Sequence, residues 1–221
     1  MRRVLILFPI LMALGACIDI PEASSKRESV QRSARFTPSP NARQCLAKLG
    51  ATQASFTPLP DQHFGAGCST RNTVRLASLQ SDHDLLALSN LGPVTCPLAS
   101  TFAAWARYGV DRAARQILGS PLVRIETMGS YSCRNVAGTS RRSAHATANA
   151  IDVSGFVLAD GRRITLTGSW SSANSAERQF LRVVHTSACK RFGTVLGPDY
   201  NAAHENHFHV EKVIEGQAYC R

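Results

Sequence analysis

The cysteines constrain the possible folds of this chain more than any other feature of its 221 residues. Six of the seven follow residue 40: Cys45, Cys68, Cys96, Cys133, Cys189 and Cys220. An even set in an exported chain is typical of three disulfides, and the absence of a Cys-x-x-Cys pair argues against a zinc ribbon or a redox site. Six cysteines allow fifteen pairings. Sequence proximity alone favours Cys45–Cys68, Cys96–Cys133 and Cys189–Cys220.

The N-terminal segment indicates that the chain is exported. Arg2 and Arg3 precede an apolar stretch over residues 4–16 that is too short to span a bilayer. A short positive segment, an apolar segment and small residues at its end are typical of a secretory signal peptide. The sequence therefore predicts a signal peptide over residues 1–16.

The end of this signal peptide predicts a lipid anchor. Residues 14–17 (LGAC) resemble a bacterial lipobox, in which the Cys17 thiol is lipidated and becomes the new N-terminus. Ordinary cleavage before Cys17 is the alternative, and it would leave a soluble secreted protein with an odd thiol. Residue 18 is Ile rather than Asp, so the usual signal for inner-membrane retention is missing. We therefore expect a periplasmic lipoprotein that is anchored in the outer membrane.

Composition separates a tether from a globular domain. Residues 17–40 are rich in Ser, Pro and charge and predict a flexible linker from Cys17. From residue 41 onwards the pattern becomes globular, which predicts one domain over 41–221. The only long apolar run is at the N-terminus, and this excludes a multi-span membrane protein.

The charge balance favours an anionic partner. The chain has 25 Lys and Arg against 15 Asp and Glu, a formal net charge of +10. Nucleic acid, a membrane surface and a cell-wall polymer would all suit this charge. An exported chain meets little nucleic acid and no basic-aromatic motif is present, so we do not expect nucleic-acid binding.

Four helices are predicted from apolar periodicity together with start and stop residues. Asn41 is a candidate cap for a helix over 42–49 that stops at Gly50. The other predicted helices are 98–108, opened by Pro97 and stopped by Gly109; 112–118, stopped by Gly119; and 174–192, with Phe180, Leu181, Val184 and Ala188 on one face.

Three stretches predict strands. Residues 122–127 alternate like a half-buried strand, and 151–158 with 163–167 flank Asp160 and Gly161 as in a β-hairpin. The predicted fold class is α+β, with a small, mainly antiparallel sheet flanked by helices and stabilised by disulfides.

Histidines and an aspartate form the strongest chemical pattern. His145 and Asp152 are seven residues apart, and His204, His207 and His209 follow about sixty residues later. On an extended strand, residues two apart share a face, so His207 and His209 point the same way while Phe208 points into the core. Zn²⁺ that is bound by three protein ligands of the His and Asp types keeps its fourth position open, as in a catalytic site. A histidine-rich loop that binds metal only adventitiously is the alternative.

These residues resemble a known family. Ser143-x-His145, six residues and Asp152, followed by His207-x-His209, resemble the signature of the zinc D-alanyl-D-alanine peptidases and their LAS-type relatives, which cut peptide cross-links in bacterial peptidoglycan. The wider runs 129–135, 143–156 and 196–211 resemble the bacterial extensin-like C-terminal family, and the resemblance extends over about 41–221.

The resemblance implies a role for each residue and a fold of the LAS type. The implied zinc ligands are His145, Asp152 and His209. His207 falls at the position of the base or transition-state stabiliser, His204 at that of an assisting histidine, and Arg134 at that of the arginine that holds a substrate carboxylate or carbonyl. A surface arginine beside a disulfide is the plain alternative for Arg134.

Two positions depart from the family pattern. The peptidases usually have Gly three residues after the first ligand, and here that position is Ala148, which puts an unaltered pocket in doubt. Many use Glu-x-x-His, whereas Glu205 lies four residues before His209, out of register for that role. Glu205 is therefore only a candidate for contact with a ligand.

The implied function is a Zn²⁺-dependent peptidase of the carboxypeptidase or endopeptidase type that acts on peptidoglycan in the bacterial cell envelope. The alternative is a non-catalytic, zinc-containing module that binds the cell wall or a protein partner. A fold alone does not decide between the two.

Overall fold

The computed structural model describes residues 38–172 and 174–221, so the predicted signal peptide, Cys17 and residues 17–37 of the predicted linker lie outside the described part. The helices are α1 (Pro40–Ala51), α2 (Cys96–Trp105), α3 (Leu166–Ser169) and α4 (Ser175–Cys189). The strands are β1 (Ser55–Pro58), β2 (Gln62–Gly65), β3 (Cys68–Thr70), β4 (Thr73–Gln80), β5 (Leu85–Ser89), β6 (Val94–Thr95), β7 (Leu122–Gly129), β8 (Ala150–Leu158), β9 (Arg163–Thr165), β10 (Phe192–Leu196), β11 (Phe208–Val213) and β12 (Tyr219–Cys220). None of these helices has the length and apolar character needed to cross a bilayer.

Ten of the described strands form one sheet, which is larger than the small sheet that the sequence predicts. Its order is β1-β4-β5-β7-β8-β11-β10-β12, with β6 beside β4 and β9 beside β8. The β5–β7 and β10–β12 pairings are parallel and the others are antiparallel. Strands β2 and β3 form a separate hairpin. The extra size comes from strands that were not predicted, four of them within residues 55–95 and also β10 and β12.

The strands predicted after residue 120 are present. Strand β7 contains the predicted 122–127, and the hairpin of β8 and β9 encloses the predicted turn at Asp160 and Gly161, although β9 ends at Thr165 rather than at 167 because α3 begins there. Helix α4 is also present with its four predicted apolar residues buried, but it ends at Cys189 rather than at 192, where β10 begins. The side chain of Asn174 caps its first turn by accepting hydrogen bonds from Ala176 N and Glu177 N.

Helix α1 begins earlier and ends later than predicted. Its cap is Ser39, whose Oγ accepts a hydrogen bond from Ala42 N at 3.2 Å, and Pro40 occupies the first turn, where a missing N–H costs nothing. The predicted cap, Asn41, already lies within the helix. Gly50 does not stop it, and the helix ends at Ala51.

Gly109 does not end a helix either, because it is a packing residue. Helix α2 continues through the π-helical turns Ala106–Asp111 and Ala114–Leu118, so residues 96–118 are one helical run where two helices were predicted. A Cβ on Gly109 would lie closer than 3 Å to both Ser187 Oγ and the Trp105 ring. The glycine therefore lets this run approach α4. The run ends at Gly119, in the left-handed conformation, as predicted.

The Gly109→Ala variant is expected to lower the free energy of unfolding by about 1–3 kcal/mol, because the added methyl group overpacks the contact with α4. Gly50→Ala is the matched control: its Cβ meets open space, so removing a helical glycine should raise stability by up to about 1 kcal/mol. Urea unfolding monitored by circular dichroism measures both. Equal destabilisation of the two variants would contradict this role of Gly109.

The core forms where the helical run packs on the sheet. Trp105 is fully buried, and its ring makes edge-to-face contacts with Phe156 of β8 and Phe192 of β10. Its indole N–H donates to the carbonyl of Val184 in α4 at 3.2 Å. One side chain therefore connects the helical run, the sheet and α4.

Two of the three predicted disulfides are wrong. Cys189–Cys220 is confirmed, but Cys45 pairs with Cys96 and Cys68 pairs with Cys133. Sequence proximity fails because the fold brings distant segments together: α1 packs on α2, and β3 lies against the 3₁₀ turn Ala144–Thr147. All six predicted cysteines are nevertheless paired.

Candidate metal centre

Three separate elements bring the predicted ligands together. His145 lies in a 3₁₀ turn (Ala144–Thr147), Asp152 in β8 and His209 in β11. In the antiparallel β8–β11 pair, Asp152 is the direct partner of His209. Directly opposed residues on neighbouring strands project from the same face, which places the carboxylate beside the imidazole.

The distances between the three donors fit a tetrahedral metal ion. His145 Nε2 is 3.2 Å from Asp152 Oδ2 and 3.2 Å from His209 Nδ1, and His209 Nδ1 is 2.9 Å from Asp152 Oδ1. Ligands bound to Zn²⁺ at about 2.0–2.1 Å in a tetrahedron are about 3.3 Å apart. The cluster therefore has the dimensions of a three-ligand metal site.

The hydrogen bonds on the outer side of each ring favour metal binding. His145 Nδ1 lies 3.0 Å from the carbonyl of Ser130, and His209 Nε2 lies 3.2 Å from Glu211 Oε2. Since the Ser130 carbonyl only accepts, His145 Nδ1 carries the N–H in the neutral ring and the lone pair is on Nε2, which faces His209 Nδ1 and Asp152. His209 has a carboxylate at each nitrogen, Glu211 at Nε2 and Asp152 at Nδ1. With its N–H on the Glu211 side, three acceptors would meet, and a cation between them would stabilise the arrangement.

Without a metal, a proton on His209 takes this place. Burial disfavours charge on the ring, but the hydrogen bonds to Asp152 and Glu211 raise the pKa of His209 to about 9. Burial also opposes the charge of Asp152, yet the close contacts with the His145 and His209 rings hold the pKa of this carboxyl below its usual value. The centre thus retains one positive charge among its acceptors.

The affinity for Zn²⁺ is expected to rise about tenfold for each pH unit between about pH 7 and the His209 pKa of about 9, because the metal must displace one proton. Above that pKa the ring is already neutral and the rise should stop. Calorimetric titration in two buffers with different enthalpies of ionisation counts the released proton. An affinity that does not change over this range would contradict the competition.

Ala148 occupies the position at which the peptidase motif predicts a glycine. Ala148 has φ of 53°, in the left-handed region that favours glycine, and it is fully buried. Its N–H donates to the carbonyl of His145, and its own carbonyl accepts from Thr95 N at 2.9 Å. Alanine therefore adopts the conformation that holds the His145 turn, and the altered residue does not displace the ligand.

His207 lies beside the ligands and is mostly buried. It directly precedes β11, and its Nε2 is 3.5 Å from Asp152 Oδ1 while its Nδ1 is 2.8 Å from Asn206 Oδ1. Burial lowers the pKa of His207, with the charges of His209 and Arg134 acting in the same direction and Asp152 in the opposite one. The ring is therefore neutral near pH 7, and its Nε2 can accept a proton.

His204 and Arg134 complete the predicted set. The His204 ring centroid is 5.1 Å from that of His207, and its Nδ1 is held by Asn201 Oδ1 at 2.7 Å. Burial and the neighbouring His207 and His209 lower the pKa of His204 to about 4. Arg134 is exposed, and its positive charge contributes to the lowered pKa of both His204 and His207. The structure thus brings all six predicted residues to one site.

Glu211 is the residue at this site that sequence reasoning missed. Glu205, the predicted candidate, is exposed, and its side chain makes no hydrogen bond with the described residues. Glu211 follows His209 by two residues on the same face of β11, and its contact with His209 lowers its pKa even though burial acts in the opposite direction. This spacing was the available signal. The Ser130 carbonyl leaves no mark in a sequence, because every residue has one.

The Glu211→Gln variant is expected to lower the affinity for Zn²⁺ by about 10–100-fold, because the amide still accepts from His209 Nε2 but supplies no charge. Glu205→Gln makes the same chemical change at an exposed position and should bind as tightly as the parent. Competition with a chromophoric chelator gives both affinities. A loss of the same size in both variants would show that the effect is not local to His209.

Comparison with known proteins yields one match. The model of the family described as "Extensin-like protein C-terminus" matches residues 43–221, most of the chain and the whole of the candidate centre. No curated protein matches. No solved structure matches either. Because the family match extends over far more than half of the sequence, the chain belongs to the extensin-like protein C-terminus family.

Proposed function

We propose that this protein is a Zn²⁺-dependent peptidase that hydrolyses stem-peptide or cross-link bonds of peptidoglycan in the bacterial cell envelope. The observation that carries the proposal is the convergence of His145, Asp152 and His209, with donor atoms 2.9–3.2 Å apart, beside the neutral ring of His207. A metal-binding module without catalysis has no need of a base at this position. The resemblance of the motif to the zinc D-alanyl-D-alanine peptidases, and with it the LAS-type fold, is part of the proposal.

The donor set defines what metal it would take. Two imidazole nitrogens and one carboxylate oxygen are ligands typical of catalytic zinc, and three protein ligands leave a position open. Bound zinc would supply a Lewis acid that polarises a carbonyl and makes water more acidic. The Ser130 carbonyl and the Glu211 carboxylate can accept the outer N–H of His145 and His209 while the inner nitrogens bind the metal, which would orient both rings.

The remaining residues would move a proton and hold the substrate. His207 Nε2 is unprotonated at neutral pH and can take a proton from the attacking water and later deliver it to the leaving amine. Arg134 is exposed and has no acidic partner among the described residues, so its guanidinium can bind a substrate carboxylate or a developing oxyanion.

The net charge of +10 suits an anionic cell-wall polymer. Lipidation at Cys17, anchoring in the outer membrane and a flexible linker over 17–40 would hold the domain near the wall, within a reach set by the linker length. These features of the N-terminal segment are part of the same proposal.

The test is mass spectrometry of the muropeptides released from intact peptidoglycan by the full chain. Loss of cross-linked dimers to monomers would identify an endopeptidase, and loss of only a terminal D-alanine a carboxypeptidase. Activity should disappear with a chelator and return with Zn²⁺. His145→Ala should be inactive, whereas His83→Ala, at an exposed histidine outside the site, should be fully active.

A negative result in this experiment would favour the alternative function. Unchanged muropeptides from a protein that still binds Zn²⁺ and sediments with the wall would overturn the peptidase. They would leave the non-catalytic module that binds the wall or a protein partner.

A further inference from the structure

A second cluster of metal-binding side chains lies away from the candidate centre. His185 and Cys189 of α4 and Cys220 of β12 each offer a donor atom, and these atoms lie within 4.8 Å of one another. Among the described residues, the Cys189–Cys220 disulfide is the only one with a third potential ligand this close. Imidazole with two sulfurs is a ligand set for Zn²⁺ when both sulfurs are thiolates.

The His185 ring is oriented for this role. Its Nε2 lies 3.2 Å from the main-chain oxygen of Arg221, and since this oxygen only accepts, Nε2 carries the N–H in the neutral ring. The lone pair is therefore on Nδ1, which faces Cys189 Sγ at 3.9 Å. Contacts with Phe208 and Trp170 fix the plane of the ring.

The three residues are held together without help from the disulfide. His185 and Cys189 are one turn apart on α4, so their side chains lie on the same face. Cys220 is held by the parallel pairing of β12 with β10, in which its partner is Val195. The residue after Cys220 is also held to β10, because Arg221 N donates to the carbonyl of Val195 at 2.9 Å. Opening the S–S bond therefore leaves both sulfurs near His185.

We propose that reduction of Cys189–Cys220 creates a second metal site, in which the two thiolates and His185 Nδ1 bind Zn²⁺. A dithiol reductant would transfer two electrons and two protons to the disulfide, giving two thiols and a cyclic disulfide of the reductant. Zn²⁺ then displaces the two thiol protons and accepts the His185 lone pair, which leaves its fourth position to water. The metal site and the disulfide exclude each other, because the same two sulfurs bind either each other or the metal. This inference does not depend on the proposed peptidase.

Cd²⁺ is the probe that tests it, because binding to thiolate gives an ultraviolet charge-transfer band to which the His and Asp ligands of the first centre do not contribute. The full chain carrying Cys17→Ser is titrated with Cd²⁺ after treatment with a dithiol that is then removed and, in parallel, without reduction. The band is expected at one Cd²⁺ per chain only after reduction. Circular dichroism of each sample records whether the fold is kept.

Matched variants separate this site from the thiols of the other two disulfides. Cys45→Ser should keep the band at full intensity, whereas Cys189→Ser should lose it. His185→Gln keeps both thiolates but removes the nitrogen ligand, so it should bind Cd²⁺ at least about tenfold more weakly.

The proposal is overturned if the reduced protein shows no band, if Cys189→Ser retains it, or if His185→Gln binds as tightly as the parent. A reduced protein that loses its fold and does not recover it on addition of Cd²⁺ also overturns the proposal, because the site needs the folded arrangement of α4 and β12.

Discussion

The His207→Ala variant is expected to lose about 10²- to 10⁴-fold of the rate of peptidoglycan hydrolysis, the size of a general base contribution, while binding Zn²⁺ with unchanged stoichiometry. His207 Nε2 lies 3.5 Å from Asp152 Oδ1, next to the ligand set but outside it. The variant thus separates catalysis from metal binding. Muropeptide release and zinc content are measured on the same preparation.

The pH profile gives an independent readout of the same residue. Burial lowers the pKa of His207, so the base remains unprotonated below the usual histidine range and activity should fall only on the acid side of that range. The His83→Ala control should keep the parent profile. A His207→Ala variant that turns over at the parent rate would remove the base from the mechanism, whatever the metal content.

Asp152→Asn is expected to lower the affinity for Zn²⁺ by more than about 100-fold, a larger loss than removal of a residue that only contacts a ligand. The substitution is isosteric, but it removes the only anionic ligand. It also removes one of the two carboxylates that raise the pKa of His209 to about 9, so in the metal-free protein that pKa should fall towards the ordinary value of about 6.5.

Both effects can be measured separately. Competitive chelation gives the affinity, and NMR titration of the His209 ring in the metal-free protein gives the pKa. Asp160→Asn, in the turn of the β8–β9 hairpin, is the matched control and should change neither quantity. Parent-like affinity together with a lowered pKa would place Asp152 beside the metal rather than on it.

The candidate ligands could be predicted because their signal is local. The spacing of His207 and His209 sets a common face on any strand, and the buried Phe208 between them satisfies the same alternation. The choice of His145, Asp152 and His209 as the three ligands came from the resemblance, since nothing in the sequence itself states that β8 pairs with β11. Glu211 lies two residues after His209, so the same alternation places both side chains on one face of the strand. It was missed because the resemblance implied no role for this position.

The errors in the fold arise where local signals compete with tertiary contacts. Gly109 is a stop signal when read alone, yet its missing side chain serves the packing of two helices against each other. All strands over residues 55–95 except β4 have five residues or fewer, and β5 pairs with β7, which lies beyond the long helical run. The disulfides depend on the same distant pairing, so sequence proximity succeeds only for Cys189–Cys220.

Because Asp152 pairs directly with His209, a metal ion would bind to only one register of β8 and β11. A shift of a single residue between β8 and β11 would turn one of the two side chains to the opposite face and dismantle the donor set. A cation that binds only the correctly aligned pair stabilises it by mass action, by about 2.7 kcal/mol at a free concentration one hundred times the dissociation constant. Supply of the metal would therefore shift the equilibrium towards the correctly aligned sheet, apart from any reaction at the site.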